Sequence, residues 1–237
     1  MTVRLNSLYD GRDGPPPERH AMRYKILVGN KNYSTWSMRP WLVLDHFGFE
    51  YDEEVIPLEH ADTRSRILAY SPAGKVPVLV DRSFVVWDSL AIIEYLAELK
   101  PEARIWPEER QDRARARSLA AEMHAGFPAI RKACPMNLRK TFKWKPRGGP
   151  AAQKDFERFE TIVRDRMMRG GGPFLFGEWG AVDAMYAPFV TRLTHYSWPL
   201  SETTRAYCAA VEGEASFRKW KEAAVKESWV IASDEVK

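Results

Sequence analysis

The chain has 237 residues, 45% hydrophobic and 29% charged, with a formal net charge of +4. That composition fits a soluble globular protein of one large or two small domains, and the basic excess is too slight for a nucleic-acid binder. No apolar run approaches the ~20 residues needed to cross a bilayer, so a membrane partner is not expected.

Two cysteines, Cys134 and Cys208, lie far apart and in no ligand-like spacing. They exclude a disulfide framework and a Cys/His zinc site, predict no bound metal, and point to a reducing cytoplasm. Nine tryptophans and eleven phenylalanines predict a large aromatic core or a pocket for apolar ligands.

Residues 1–21 read as a tail, with Gly11, Gly14 and Pro15-Pro16-Pro17 among charges and no periodicity. The segment lacks the apolar core of a secretion signal, and no function is assigned to it. Tyr24 to Val28 is an apolar run of strand type. Trp41, Leu42, Leu44 and Phe47 then fall at helix spacing, which predicts a helix from Ser37 to about Phe47 closed by Gly48. Between strand and helix lies Lys-Asn-Tyr-Ser-Thr-Trp-Ser-Met-Arg-Pro, residues 31–40. Ser34 and Ser37 are both good N-cap residues, and Pro40 is tolerated only in a first turn. Such a turn aims backbone N–H groups and the positive end of a helix dipole at whatever sits above it, and a thiolate or carboxylate suits that place. Taken alone, the two serines are more simply explained as helix caps.

Phe49 to Ile56 predicts a second strand, and Thr63 to about Tyr70 a short helix ending before Ser71-Pro72. Pro77 opens a strand that runs to Asp81, where its missing N–H costs little. Asp81-Arg82-Ser83 turns the chain, and Phe84 to Trp87 returns antiparallel. Asp88-Ser89 then caps a helix with Leu90, Ile92, Ile93 and Leu96 on its apolar positions. The first half therefore reads β-α-β-α-β-β-α, a compact α/β unit. Beyond Pro101 the strand signals fade. The patterns predict one long helix from Glu108 to about Lys132, a basic solvated loop at 139–149, and a helix from Gln153 to Met168 broken by Gly170-Gly171-Gly172-Pro173. A strongly apolar helix from Val182 to about His195 follows, then helices at Glu202–Val211 and Phe217–Val225.

Four separated pieces occur in one order: Tyr33-Ser34-Thr35-Trp36-Ser37-Met38-Arg39, Ser71-Pro72-Ala73-Gly74-Lys75-Val76-Pro77, Asp88-Ser89-Leu90-Ala91-Ile92-Ile93-Glu94-Tyr95-Leu96, and Phe174-Leu175-Phe176-Gly177 leading to Ala181-Val182-Asp183. Together they resemble the cytosolic glutathione S-transferases, nearest to the serine-type, zeta-like branch and its unclassified bacterial relatives. The resemblance implies a thioredoxin-like, glutathione-binding domain over residues 22–101 and an all-helical domain over 107–230. It implies glutathione as co-substrate, a small and apolar electrophile as second substrate, and a homodimer. It further implies a cis peptide bond before Pro77, with the Val76 backbone turned toward the ligand.

On the same resemblance Ser34 is the activating residue, donating its hydroxyl hydrogen bond to the glutathione sulfur, with Thr35, Trp36 and Ser37 completing the turn. Asp88 and Ser89 match the γ-glutamyl site and Lys75 the glycyl carboxylate. Zeta isomerases hold acidic substrates with an arginine on the buried helix; His195 falls at that level here and Arg192 one turn earlier. Met123, Phe127, Tyr196 and Trp198 are candidates for an electrophile pocket, although an aromatic core is the better explanation for most of them. Asp183 reads as fold support, with Gly180 leaving its capping box incomplete.

The redox members of the thioredoxin-like class carry Cys-x-x-Cys at the turn, and this chain carries Ser34-Thr35-Trp36-Ser37, which excludes disulfide exchange there. Trp36 replaces a smaller residue of the zeta enzymes and is expected to narrow the pocket. The alternatives to a transferase are a glutathione-dependent isomerase of the maleylacetoacetate or maleylpyruvate type and a non-catalytic transferase-like binding protein.

Overall fold

The structure, a computed structural model, describes residues 24–170 and 172–236. The tail read at residues 1–21 lies outside them. Strand β1 (Tyr24–Gly29) sits inside a four-stranded sheet of order β2-β1-β3-β4. It pairs parallel to β2 (Tyr51–Ile56) and antiparallel to β3 (Val78–Asp81), which pairs antiparallel with β4 (Phe84–Val86). The helix between β1 and β2, α1 (Thr35–His46), makes the crossover that parallel strands require. Helices α2 (Thr63–Leu68) and α3 (Ser89–Leu99) complete this half. Ile26 and Val28 face the main core, whereas Leu27 belongs to a small cluster with Ile56, Ile67 and Val78 under α2. That split is the period-2 alternation of a strand buried on both faces.

The remainder is helical: α4 (Arg110–Ala125), α5 (Pro128–Ala133), α6 (Gly149–Gly170), α7 (Ala181–His195), α8 (Glu202–Gly213) and α9 (Ala215–Lys226). The single helix expected from Glu108 to Lys132 is two helices. Gly126 ends α4, Phe127 takes φ 60, and Pro128 starts α5 at its first turn. A proline inside a continuous helix would lack one N–H and strike the carbonyl four residues back, so the break falls here. The helix preceding the Gly-Pro break is longer than expected, beginning at Gly149 within the basic segment.

Helix α7 is the core of the molecule; every residue but Thr194 is buried. Asp183, in its first turn, accepts hydrogen bonds from Leu175 N (3.1 Å), Gly180 N (3.1 Å) and the Tyr207 hydroxyl (3.1 Å). Burial, opposed by those donors, pushes its pKa up to about 7. Asp183 thus ties the 172–180 turn and α8 to the start of α7.

The two halves meet through α1. Trp41 packs edge-on against Trp220 of α9 at 5.1 Å, and the Trp220 indole N–H donates to Lys31 O (3.0 Å). Beside them Glu214 caps α9, accepting from Ser216 N (2.8 Å) and Phe217 N (3.1 Å), and meets His46 Nδ1 at 2.9 Å. Burial raises the Glu214 pKa, but the bonds from His46, Ser216 and Phe217 outweigh it and hold the carboxyl down at about 2. The folded value lies below the unfolded one, so this stabilisation is full above about pH 4.5 and is lost as pH falls toward 2. Glu214→Gln should therefore flatten the acid limb of a stability-versus-pH curve between those values, by up to about 3 kcal/mol. Chemical denaturation at stepped pH measures it, and parallel curves for the two proteins would contradict it.

Candidate active site

The β1–α1 turn is built around two hydroxyls. Ser34 takes the extended conformation of an N-cap, and its Oγ accepts from Ser37 N at 3.4 Å. The two serine oxygens are 2.8 Å apart, and Gly29 N donates to Ser37 Oγ at 3.0 Å. Ser37 is fully buried and ties the end of β1 to α1. Only Ser34 opens on the neighbouring cavity. Ser37, expected at the ligand surface, does not line this cavity; its oxygen accepts from Gly29 N below and from Ser34 beside it.

That cavity has a volume of about 420 Å³ and lies between the sheet half and the helical half. Ser34, Thr35, Trp36, Lys75 and Val76 all line it. Val76 precedes a cis peptide bond to Pro77, as the resemblance implied. Asp88 and Ser89 stand at the start of α3, outside that lining. Asp88 N-caps the helix, accepting from Leu90 N at 2.9 Å. Ser89 is buried, and its Oγ has no hydrogen-bond partner among the described residues. The Asp88 carboxylate lies 3.6 Å from His124 Nε2, and the His124 ring meets Trp36 edge-on at 5.1 Å, which links the start of α3 to the cavity wall.

Trp36 is 38% exposed and turns toward the helical half. Its ring carries the Arg39 guanidinium at 4.2 Å and the Arg131 guanidinium at 5.4 Å. Such contacts hold an indole in place. Arg39 is fully buried, and none of its guanidinium nitrogens has a hydrogen-bond partner among the described residues. Burial, then repulsion from Arg131 and Arg192, drives its pKa well down.

Two arginines of the helical half also line the cavity. Arg131, on α5, spends Nε on Gly126 O (2.8 Å) and Nη2 on Met123 O. Arg192, on α7, donates from Nη1 to Arg131 O (3.0 Å) and to Cys134 O, and burial lowers its pKa to about 10. It is Arg192 that reaches the cavity. His195 turns away, its Nδ1 lying 3.0 Å from both Asn137 O and Lys140 O. Met123, Phe127, Tyr196 and Trp198 are buried core and do not line it.

The chain beyond α9 supplies the remaining wall, with Ile231 and Asp234 facing the cavity. Glu227 accepts from Lys31 N (2.8 Å) and Asn32 N (3.1 Å). Arg139 donates to the carbonyls of Glu227 (2.6 Å) and Trp229 (2.8 Å) and to the Tyr33 hydroxyl (2.7 Å). Glu235 accepts from Tyr33 (2.5 Å) and Asn137 (2.8 Å) and pairs with Lys140. The basic loop is therefore only partly a solvated one: Arg139 and Lys140 clamp the C-terminal segment, while Lys143 and Lys145 are exposed.

Among the described residues no helix is long and apolar enough to cross a membrane, and no group of three or more His, Cys, Asp or Glu is placed to hold a metal ion. A thioredoxin-like half with a hydroxyl at its first helix, joined to a helical half across a cleft, defines the class. Residues 33–99 match the family described as glutathione S-transferase, N-terminal domain. The chain is 34% identical over 96 residues to the probable maleylacetoacetate isomerase of Caenorhabditis elegans, a match covering 40% of this chain and 44% of that relative. The chain thus spans less than half of that relative's length. A glutathione transferase homolog from Burkholderia GL BGR1, solved with bound glutathione, superposes with a TM-score of 0.67 at 23% identity, over 85% of this chain and 98% of that one. The holo structure of maleyl pyruvate isomerase, a bacterial zeta-class glutathione S-transferase, gives 0.66 at 25% identity, over 86% and 100%. This chain carries a glutathione S-transferase N-terminal domain within the glutathione S-transferase architecture.

Proposed function

We propose that the protein is a glutathione transferase that activates the glutathione thiol at Ser34 for attack on a small electrophile. The observation that carries this reading is the serine pair. Gly29 N donates to Ser37 Oγ at 3.0 Å, and the Ser34 hydroxyl donates to the same oxygen at 2.8 Å. A thiolate in the cavity would draw the Ser34 hydrogen round to itself, with the Ser37 hydroxyl donating to Ser34 Oγ in its place. A free thiol has a pKa of ~8.5 and is mostly protonated at neutral pH. A hydrogen bond to a charged group contributes ~1.5–3 kcal/mol and a helix N-terminus ~0.3–1 kcal/mol. Their sum matches the roughly 2.7 kcal/mol needed for a two-unit shift. The serine keeps its own proton throughout; it stabilises the anion that attacks.

Thr35 and Trp36 flank the sulfur position in this reading, the Val76 backbone pairs with the cysteinyl backbone, and Lys75 meets the glycyl carboxylate. Asp88 and Ser89, at the amino end of α3, take the γ-glutamyl group, which suits a helix N-terminus. Calorimetry with glutathione, followed by turnover with a generic aryl halide, tests the proposal. Saturable heat with micromolar to millimolar affinity and conjugate formation are expected. Absence of both would contradict it; heat without conjugation would leave a binding protein.

A second reading, glutathione-dependent isomerisation of an acidic substrate, draws on Arg131 and Arg192 in the cavity and on the likeness to the worm isomerase. Product chromatography with maleyl-type acids separates the two. We also place the protein in the cytoplasm, in keeping with two buried free cysteines, and as a homodimer. Phe84 on the edge strand β4 and Trp87 just beyond it are 58% and 44% exposed, an apolar edge that a second copy would cover. Sedimentation velocity decides that point.

A further inference from the structure

Residues 227–236 fold back from the end of α9 across the cavity as a strap. Its attachments are specific and lie at both ends: Glu227 on the β1–α1 turn, and Glu235 on Tyr33, Asn137 and Lys140. Between them Ser233 Oγ donates to Glu59 at 3.1 Å, on the opposite rim. The strap thus holds Ile231 and Asp234 against the cavity in fixed positions.

The charges around the cavity are unequally committed. Lys75 is exposed at the rim. Arg131 is engaged by backbone carbonyls. Arg192 is buried, and Arg39 and Arg131 stand nearby with the same sign. Left to itself, this cationic floor would draw in an anion, because a buried arginine without a counter-charge is costly. Asp234 lines the same cavity from the strap and brings the opposite charge; burial pushes its carboxyl up, and Arg192 pulls it partly back.

We propose that the strap is a wall of the second-substrate pocket and that Asp234 on it determines specificity, offsetting Arg192 so that the pocket takes uncharged electrophiles in preference to acidic ones. The inference rests on the transferase reading, in which glutathione takes the Ser34, Lys75 and Val76 side of the cavity and leaves the Arg131, Arg192, Ile231 and Asp234 side to the second substrate. Ile231 supplies the apolar surface for such a substrate, and Asp234 occupies electrostatically the place that a substrate carboxylate would otherwise take. An acidic substrate must face the Asp234 carboxylate as well as Arg192; a neutral one faces neither penalty.

Two fluorescent probes of one shape test this without glutathione: an anilinonaphthalenesulfonate, which is anionic, and its uncharged analogue N-phenylnaphthylamine. Each is titrated into the full chain, wild type and variant, at low salt and mildly alkaline pH. Asp234→Asn should tighten the sulfonate about tenfold, the scale of removing one like charge from the cavity wall, and leave the neutral probe within about twofold. Ile231→Ala should weaken both probes alike, leaving their ratio unchanged. An unchanged ratio in Asp234→Asn would overturn the proposal, as would failure of both probes to bind the wild type. Calorimetry with glutathione on the same samples tells this result apart from the transferase reading: loss of glutathione heat with the ratio still shifted would sink the latter and spare the charged wall.

Discussion

Ser34→Ala should lower kcat/KM for glutathione conjugation by roughly 10- to 150-fold, the loss of one hydrogen bond to a charged sulfur. The same substitution should move the acid limb of the pH–rate profile upward by one to two units, because the thiol then titrates nearer its free value of ~8.5. It also removes the N-cap of α1, which costs about 1 kcal/mol of stability. The two effects separate cleanly: the rate loss shrinks as pH rises, and the stability loss does not. Ser37→Ala gives the useful contrast. Ser37 is buried between Gly29 N and Ser34 Oγ, so its loss should disturb folding more and the pH profile less. Steady-state rates across pH, set beside denaturation midpoints for both variants, decide whether Ser34 acts on the sulfur or only caps its helix.

Asp183→Ala should destabilise the protein by about 3–5 kcal/mol, enough to lower Tm by roughly 10 °C or more. The substitution strands the Leu175 and Gly180 N–H groups and the buried Tyr207 hydroxyl at once, and opens a void at the start of the most buried helix. Asp183→Asn keeps one acceptor but turns an NH2 group toward donors, so an intermediate loss is expected. Differential scanning calorimetry checks the order wild type, Asn, Ala. Its consequence for the site is indirect: Arg192 sits on the same helix, and a loosened α7 start weakens the frame that presents it.

Much of the architecture was legible because it is local. The strand of Tyr24–Val28, the capped turn and the apolar spacing of α1 are adjacent in the chain, and so are Val76-Pro77 and Asp88-Ser89. Helix α7 announced itself through its apolar run. The break between α4 and α5 also had a signal in Gly126 and Pro128, but the surrounding helical pattern outweighed it. Ser34 and Ser37 could not be told apart by spacing, since both are good caps; the difference is burial, set by a hydrogen bond from Gly29. The strap had no signal at all. Residues 227–236 carry no apolar period, and the contacts of Glu227 with Lys31 and Asn32 join positions nearly the whole chain apart. Arg192 was visible as a residue but not as a cavity wall, because which face of a fully buried helix meets a cleft depends on packing that no single-helix pattern encodes.

On the proposed reading, Ser34 holds the glutathione sulfur as an anion at the amino end of α1. Ultraviolet titration of the thiolate band, with glutathione saturating the wild type and Ser34→Ala, reads that state directly. Bound glutathione should be largely thiolate at neutral pH in the wild type and largely thiol in the variant. A thiolate band of equal size in both, or none in either, would contradict it.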